Sequence, residues 1–130
     1  MTDRELVDLA FTMLDRAYVP YSKFPVGAAL ETADGSVFTG CNVENAAYGS
    51  TICAERCALL KAVSEGHRDP ARIAVAGLGE DYCWPCGSCR QMLYEFNPDI
   101  EVLCAYRDRG FVKIPLRELM PHGFGPASLN

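Results

Sequence analysis

Two segments of this chain enter helices on a cysteine, and a short apolar run lies between them. The first is Cys53-Ala54-Glu55-Arg56-Cys57, continuing through Leu59 and Leu60 to Val63. The second is Pro85-Cys86-Gly87-Ser88-Cys89, continuing through Met92 and Leu93. The run between them, residues 73–78, is continuously apolar, as a strand covered on both faces would be. A strand, helix, strand, helix, strand succession predicts parallel crossovers within one sheet. In such a fold both helix starts fall at the same sheet edge, beside the carboxyl ends of the strands. Thiols far apart in sequence then converge.

The remaining pattern completes this frame. Residues 3–17 carry Leu6, Leu9, Ala10, Met13, Leu14 and Ala17 at helical spacing, with Thr2 or Asp3 as cap and Pro20 as stop. Residues 26–32 and 37–43 flank Asp34-Gly35 and predict a hairpin with a type I′ turn, whose two central residues need positive φ. Gly27 and Gly40, inside these strands, predict a bulge or a close backbone approach. Residues 53–65 are apolar on nearly every side and predict a buried helix ended by Gly66. Residues 100–106 and 111–115 read as strands, and 116–120 as a short helix before Pro121. The expected fold is α/β: one domain over residues 1–130, three layers α/β/α, with a mixed, about five-stranded sheet and helices on both faces.

Composition narrows the function classes. The net charge is -5, with 12 basic against 17 acidic residues, and no Lys/Arg cluster offers a footprint for a polynucleotide. No stretch approaches the ~20 apolar residues of a membrane span. The N-terminus Met1-Thr2-Asp3-Arg4-Glu5 has no apolar run of signal type behind it, so the expected compartment is the cytoplasm. Seven cysteines in a reducing compartment point to metal ligands or catalytic groups rather than disulfides.

Cys86-x-x-Cys89 is the tight pair that zinc favours, and Cys53 heads the other cysteine-led helix. Three thiolates on Zn²⁺ leave a net charge of about -1, and each helix N-terminus offsets it with roughly half a positive charge. Arg56 adds a permanent cation that can donate to a thiolate. Glu55, two residues after a ligand, is placed to carry protons without binding the metal. Cys57 stands one helical turn after Cys53, so a closed four-sulfur structural site is equally compatible with the spacing. Cys41, Cys83 and Cys104 read as small core or loop residues. Asn42 and Glu44, two apart on extended chain, suit a pair of vicinal hydroxyls, or else cap a turn. Phe24, in a loop bounded by Pro20 and Pro25, either closes a pocket or packs beneath the loop.

Cys-Ala-Glu at 53–55 with Pro-Cys-x-x-Cys at 85–89 resembles the zinc-dependent nucleoside and nucleobase deaminases. With residues 21–29 and 40–46 added, nearly the whole chain is similar to the small, homotetrameric cytidine deaminases. The resemblance implies Cys53, Cys86 and Cys89 as zinc ligands, Glu55 as general acid/base and Arg56 as charge compensator. It implies Asn42 and Glu44 on the ribose, Ala54 touching the pyrimidine through its backbone, and Phe24 packed on the nucleoside. Tyr48, and Phe124 in the Gly/Pro-rich tail, would line sites at subunit interfaces. The implied activity is hydrolytic deamination of cytidine and deoxycytidine in pyrimidine salvage, without nucleic acid or membrane partners. A blasticidin-type or other nucleobase deaminase, or a non-catalytic zinc module, is the alternative. The Asn42-x-Glu44 pair favours a ribose.

Overall fold

The computed structural model describes residues 1–129. Its core is a five-stranded sheet in the order β2-β1-β3-β4-β5. The strands are β1 Val26–Thr32, β2 Val37–Cys41, β3 Pro70–Gly77, β4 Glu101–Ala105 and β5 Phe111–Pro115. β1 runs antiparallel to both β2 and β3, β3 pairs with β4 in parallel, and β5 closes the edge antiparallel to β4. β2, β3 and β4 therefore share one direction, as the two crossovers require. One crossover reaches over β1, so only β3 and β4 pair directly in parallel.

Four α-helices complete the described fold: α1 Asp3–Thr12, α2 Ala54–Ser64, α3 Gly87–Phe96 and α4 Leu116–Leu119. α1 opens with a full capping box, in which Thr2 and Glu5 satisfy each other's backbone N–H groups. Its last turn tightens into a 3-10 segment, Met13–Arg16, so the predicted helix over 3–17 ends in two pieces. α1 lays Leu6, Val7, Ala10 and Phe11 on one sheet face, against Ala29, Ala74, Ala76 and Leu103. α2 and α3 cover the other face, where Ala58, Leu59 and Leu93 meet Leu30, Ile73, Val75 and Val102. The alternation of these strand residues between two covered faces is why residues 73–76 read as unbroken apolar sequence.

Both strand glycines mark close approaches. A Cβ on Gly27 would collide with the Ala10 carbonyl of α1, and one on Gly40 with the Ala54 carbonyl and, at 2.6 Å, the Ala58 nitrogen of α2. The sheet is thus sandwiched between two helices that rest on bare backbone. The hairpin turn differs from the I′ expectation. Four residues, 33–36, connect β1 and β2. Gly35 takes φ 88°, whereas Asp34 keeps a negative φ and instead accepts from Thr32 Oγ1 (2.6 Å) and the Ser36 nitrogen (3.0 Å). The Asp34 side chain builds the turn, so a second left-handed residue is not needed.

α2 also departs from expectation. Ala54, Ala58, Leu59 and Ala62 are buried, but Leu60 is 47% exposed. Its outer side, with Val43 and Ile52, borders an apolar groove also lined by Cys57. The sequence made the helix apolar all round, yet a single chain covers only one side.

Candidate active site

The carboxyl ends of β2 and β3 and the beginning of β1 meet at one sheet edge, and α2 and α3 start there. Cys53 is the N-cap of α2 and Cys86 the N-cap of α3, both with extended backbone. The Cys86 sulfur accepts from the Cys89 nitrogen, a sulfur version of the usual serine or aspartate cap. Pro85, fully buried, fixes the entry into α3. Arg90 holds that entry in place: its Nε donates to the Pro85 carbonyl and Nη1 to the Leu119 carbonyl, both at 2.8 Å. The CxxC spacing gave no hint of this residue; an arginine one turn into the helix was the only available sign.

The sulfurs of Cys53, Cys86 and Cys89 all lie within 4.8 Å of one another. Cys53 Sγ stands 3.6 Å from Cys86 Sγ, and Cys86 Sγ 3.3 Å from Cys89 Sγ. Cys57 is outside this cluster, which is the sole such group among the described residues. The closed four-sulfur arrangement therefore gives way to a three-sulfur one. Three soft donors on two helix starts, one exposed and one buried, fit a zinc ion that keeps a coordination position open. Arg56 Nη2 donates to the Thr51 carbonyl at 3.1 Å and to Cys53 Sγ at 3.5 Å, and its buried Nε has no partner among the described residues. The Cys89 thiol's hydrogen bond, with help from Arg56, pulls the Cys53 thiol down to about 5, against the effect of burial.

Glu55 is only 4% exposed. Burial lifts its carboxyl to about 7, and the charge on Cys53 adds to this, while Arg56 opposes it. A carboxyl poised near neutrality can both take and return a proton in one cycle. It opens into a cavity of about 210 Å³ that is bounded by α2 through Cys53, Ala54 and Glu55, and roofed by Phe24 and Val26. Asn42 lines it too, as do Thr51, Cys83, Trp84 and Cys86. The base of the cavity is buried helix and its mouth is open.

The expected substrate residues divide. Phe24, Asn42 and Ala54 reach this cavity; Glu44, Tyr48 and Phe124 are not among its lining. Glu44 Oε1 accepts from the Tyr21 and Ser22 nitrogens, each at 3.1 Å, so its carboxylate secures the proline-bounded loop. Tyr48 is 74% exposed and meets Tyr21 edge-on at 5.7 Å. Phe124 projects outward, while its carbonyl accepts from Gln91 Nε2 at 2.8 Å, which ties the tail to α3. Cys83, read from sequence as a small core or loop residue, and Trp84 are wall residues; their place directly before Pro85-Cys86 is the available sign.

A family model described as the cytidine and deoxycytidylate deaminase zinc-binding region matches residues 1–105. A cytidine deaminase of Halalkalibacterium halodurans is 46% identical over 130 residues, covering 98% of each chain. A probable cytidine deaminase of Dictyostelium discoideum is 47% identical over 124 residues, covering 95% of this chain and 84% of its own. The crystal structure of a cytidine deaminase from Burkholderia pseudomallei superposes with a TM-score of 0.92 at 44% identity, covering 95% of this chain and 100% of the other. With the sulfur cluster and the buried glutamate on the same sheet edge, these similarities make the chain a member of the cytidine and deoxycytidylate deaminase family of zinc-binding enzymes.

Proposed function

We propose that this chain hydrolyses the exocyclic amine of cytidine and deoxycytidine, giving uridine or deoxyuridine and ammonia. The observation that carries this reading is the buried Glu55 carboxyl beside a three-sulfur cluster at the base of an open cavity. Cys53, Cys86 and Cys89 would hold the zinc. When bound, that ion supplies Lewis-acid activation of water near neutral pH. Glu55 takes a proton from the water that attacks C4 and delivers it to N3. It then moves the second proton to the amine as the C4–N bond breaks. Arg56 offsets thiolate charge. The Ala54 backbone, the Phe24 ring and Asn42 orient the base and sugar, so that C4 meets the water in one geometry. Glu44, whose carboxylate holds the Tyr21–Ser22 backbone beside the cavity, contributes to the ribose end.

We further infer a homotetramer with sites completed at subunit contacts. Supporting this, Val43, Leu60, Tyr48 and Phe124 are large apolar side chains left 43%, 47%, 74% and 58% exposed by a single chain. Of these, Val43 and Leu60 share one apolar groove with Ile52 and Cys57, and a contiguous exposed patch of this kind marks an interaction surface. Tyr48 and Phe124 would then enter a neighbouring chain's site. The free thiols suit a reducing compartment, the cytoplasm, and no helix of the described residues is long and apolar enough to cross a membrane. The product fits pyrimidine salvage.

The test is ammonia release from cytidine, deoxycytidine and free cytosine by zinc-loaded protein, with light scattering for mass. Turnover of the two nucleosides and not of the free base, at four times the chain mass, is expected. A zinc-loaded protein that turns over none of them overturns the reading.

A further inference from the structure

One wall of the cavity has no part in the reaction above. Cys83 and Trp84, in the loop between β3 and α3, line the cavity beside Cys86. Trp84 is the chain's one tryptophan and is 42% exposed. Its ring meets Tyr82 edge-on, with centroids 6.1 Å apart and planes at 72°, and Tyr82 meets Tyr106 at 5.0 Å and 85°. The loop is also pinned to the end of β4. The Cys83 nitrogen donates to the Ala105 carbonyl at 2.9 Å, and the Arg107 nitrogen to the Gly79 carbonyl at 3.1 Å. Trp84 is therefore fixed at one end by buried Pro85 and the ligand Cys86, and at the other by an aromatic stack. A bulky side chain held this firmly sets the shape of the cavity rather than yielding to its contents.

The proposed reaction, on which this inference rests, fixes the orientation of the pyrimidine. C4 must lie at the sulfur cluster. N3 must face Glu55, from which it receives a proton. N1 and its sugar, across the ring from C4, point toward Asn42. N3 and C5 flank C4 on opposite sides, so the side taken by α2 leaves the C5 edge facing elsewhere. The Phe24 ring lies over the end of β3 and the first residues of the loop, 3.5 Å from where a Cβ on Gly77 or Gly79 would stand and beside the Cys83 sulfur, and in the proposed pose it takes the ring face rather than the edge. Val26 and Thr51 belong to the β1 and α2 sides of the lining, so the C5 edge is left facing the loop wall that runs back from Cys86. We infer that Trp84 is a specificity-determining residue that closes the cavity against the C5 position, so that pyrimidines with bulky C5 substituents are rejected.

The experiment compares kcat/KM for cytidine and 5-bromocytidine in wild-type protein, Trp84→Phe and Trp84→Ala. Comparing one substrate pair across variants cancels the electronic effect of bromine. The ratio of 5-bromocytidine to cytidine rises about tenfold in Trp84→Ala, the scale of a steric discrimination in a pocket, with Trp84→Phe between. A ratio constant within about twofold across variants that turn over cytidine overturns the inference alone. A wild-type protein that does not turn over cytidine overturns the deaminase reading and this inference with it. Since Trp84 is the sole tryptophan, its fluorescence offers a readout independent of turnover. Titration of wild-type protein with uridine shifts or quenches the emission. An unresponsive emission in protein that turns over cytidine also overturns the inference. If Trp84→Ala loses zinc, Trp84→Phe and the fluorescence titration decide.

Discussion

Asn42 donates through Nδ2 to the Phe24 carbonyl at 3.0 Å and accepts through Oδ1 from the Val26 nitrogen at 2.9 Å. One amide thus brackets the three residues that carry the cavity's aromatic roof into β1. Asn42→Ala removes both bonds and leaves a partly buried N–H unpaired, costing about 1–3 kcal/mol in denaturant midpoints. Because the roof loosens with it, KM for cytidine rises more than kcat falls. Asn42→Asp keeps the acceptor for Val26 and loses the donor to Phe24, so it lies between. A KM unaffected by either change would separate Asn42 from the substrate.

Glu55→Gln preserves size and removes the exchangeable carboxyl proton. Turnover of cytidine falls by about 10²–10⁴-fold, the usual contribution of a positioned proton carrier. Metal analysis still finds one zinc per chain, because the three sulfurs are untouched. Loss of zinc in this variant would mean that Glu55 holds the metal instead of moving protons.

Cys53→Ala and Cys57→Ala sit one helical turn apart and should behave differently. Cys53→Ala leaves two of the three clustered sulfurs and releases zinc, whereas Cys57→Ala retains it. Equilibrium dialysis against a weak chelator reads the difference. Equal loss in both would restore a four-sulfur site.

Gly40→Ala drives a methyl group into the Ala54 carbonyl and the Ala58 nitrogen of α2. Backbone atoms in a helix cannot swing aside as a flexible side chain can, so the helix itself must shift. A loss of about 3 kcal/mol is expected, high in the range for overpacking, measurable by urea unfolding. Since α2 carries Cys53 and Glu55, zinc affinity falls together with stability. Gly49→Ala, with nothing within 4 Å of its Cβ, is the control.

Arg72 joins the start of α1 to the sheet, reaching Asp3 Oδ1 at 2.7 Å and Glu31 Oε1 at 2.6 Å. Partial burial pushes the Asp3 carboxyl up, but hydrogen bonds from Arg72 and Lys113 outweigh it and hold the group below the usual 3.8. A carboxyl depressed by folding stabilises the native state above its unfolded value, and that contribution disappears as pH falls through the folded one. Asp3→Asn is therefore less stable than wild type near neutrality, and the gap closes as pH drops below 3.8. Denaturant midpoints across an acid series measure it. A gap independent of pH would mean the carboxylate charge contributes nothing.

Local chemistry was legible wherever one residue decides the outcome. Thr2 caps α1, Gly66 ends α2 in a left-handed conformation at φ 93°, and the cysteine N-caps fall where helical periodicity starts. Glycine inside a strand costs entropy and packs nothing, so it signals a bulge or a close backbone approach, and at Gly27 and Gly40 the structure has the close approach. Less legible were features decided by distant partners. Whether Cys57 joins the sulfur cluster depends on the rotation of α2 about its axis, which the sheet contacts of Ala58 and Leu59 set. The exposure of Leu60 could not be read either, since an apolar helix surface looks the same whether its own chain or another covers it. The role of Arg90 is not legible in sequence because its partners are carbonyls, and carbonyls occur at every position.

The sulfurs of Cys53 and Cys86 meet across 33 positions of chain, and β3 lies between them in sequence. A folding intermediate that has formed its hairpin and α3 but not yet inserted β3 between β1 and β4 can offer Cys86 and Cys89, and no third sulfur. Two thiolates hold zinc weakly; three hold it well. If Cys53, Cys86 and Cys89 hold the metal as proposed, its capture would depend on topology, because the third sulfur joins the other two only with the central strand in place between β1 and β4. Tight zinc retention in a redesigned or permuted version of this chain would therefore certify strand order as well as an intact site.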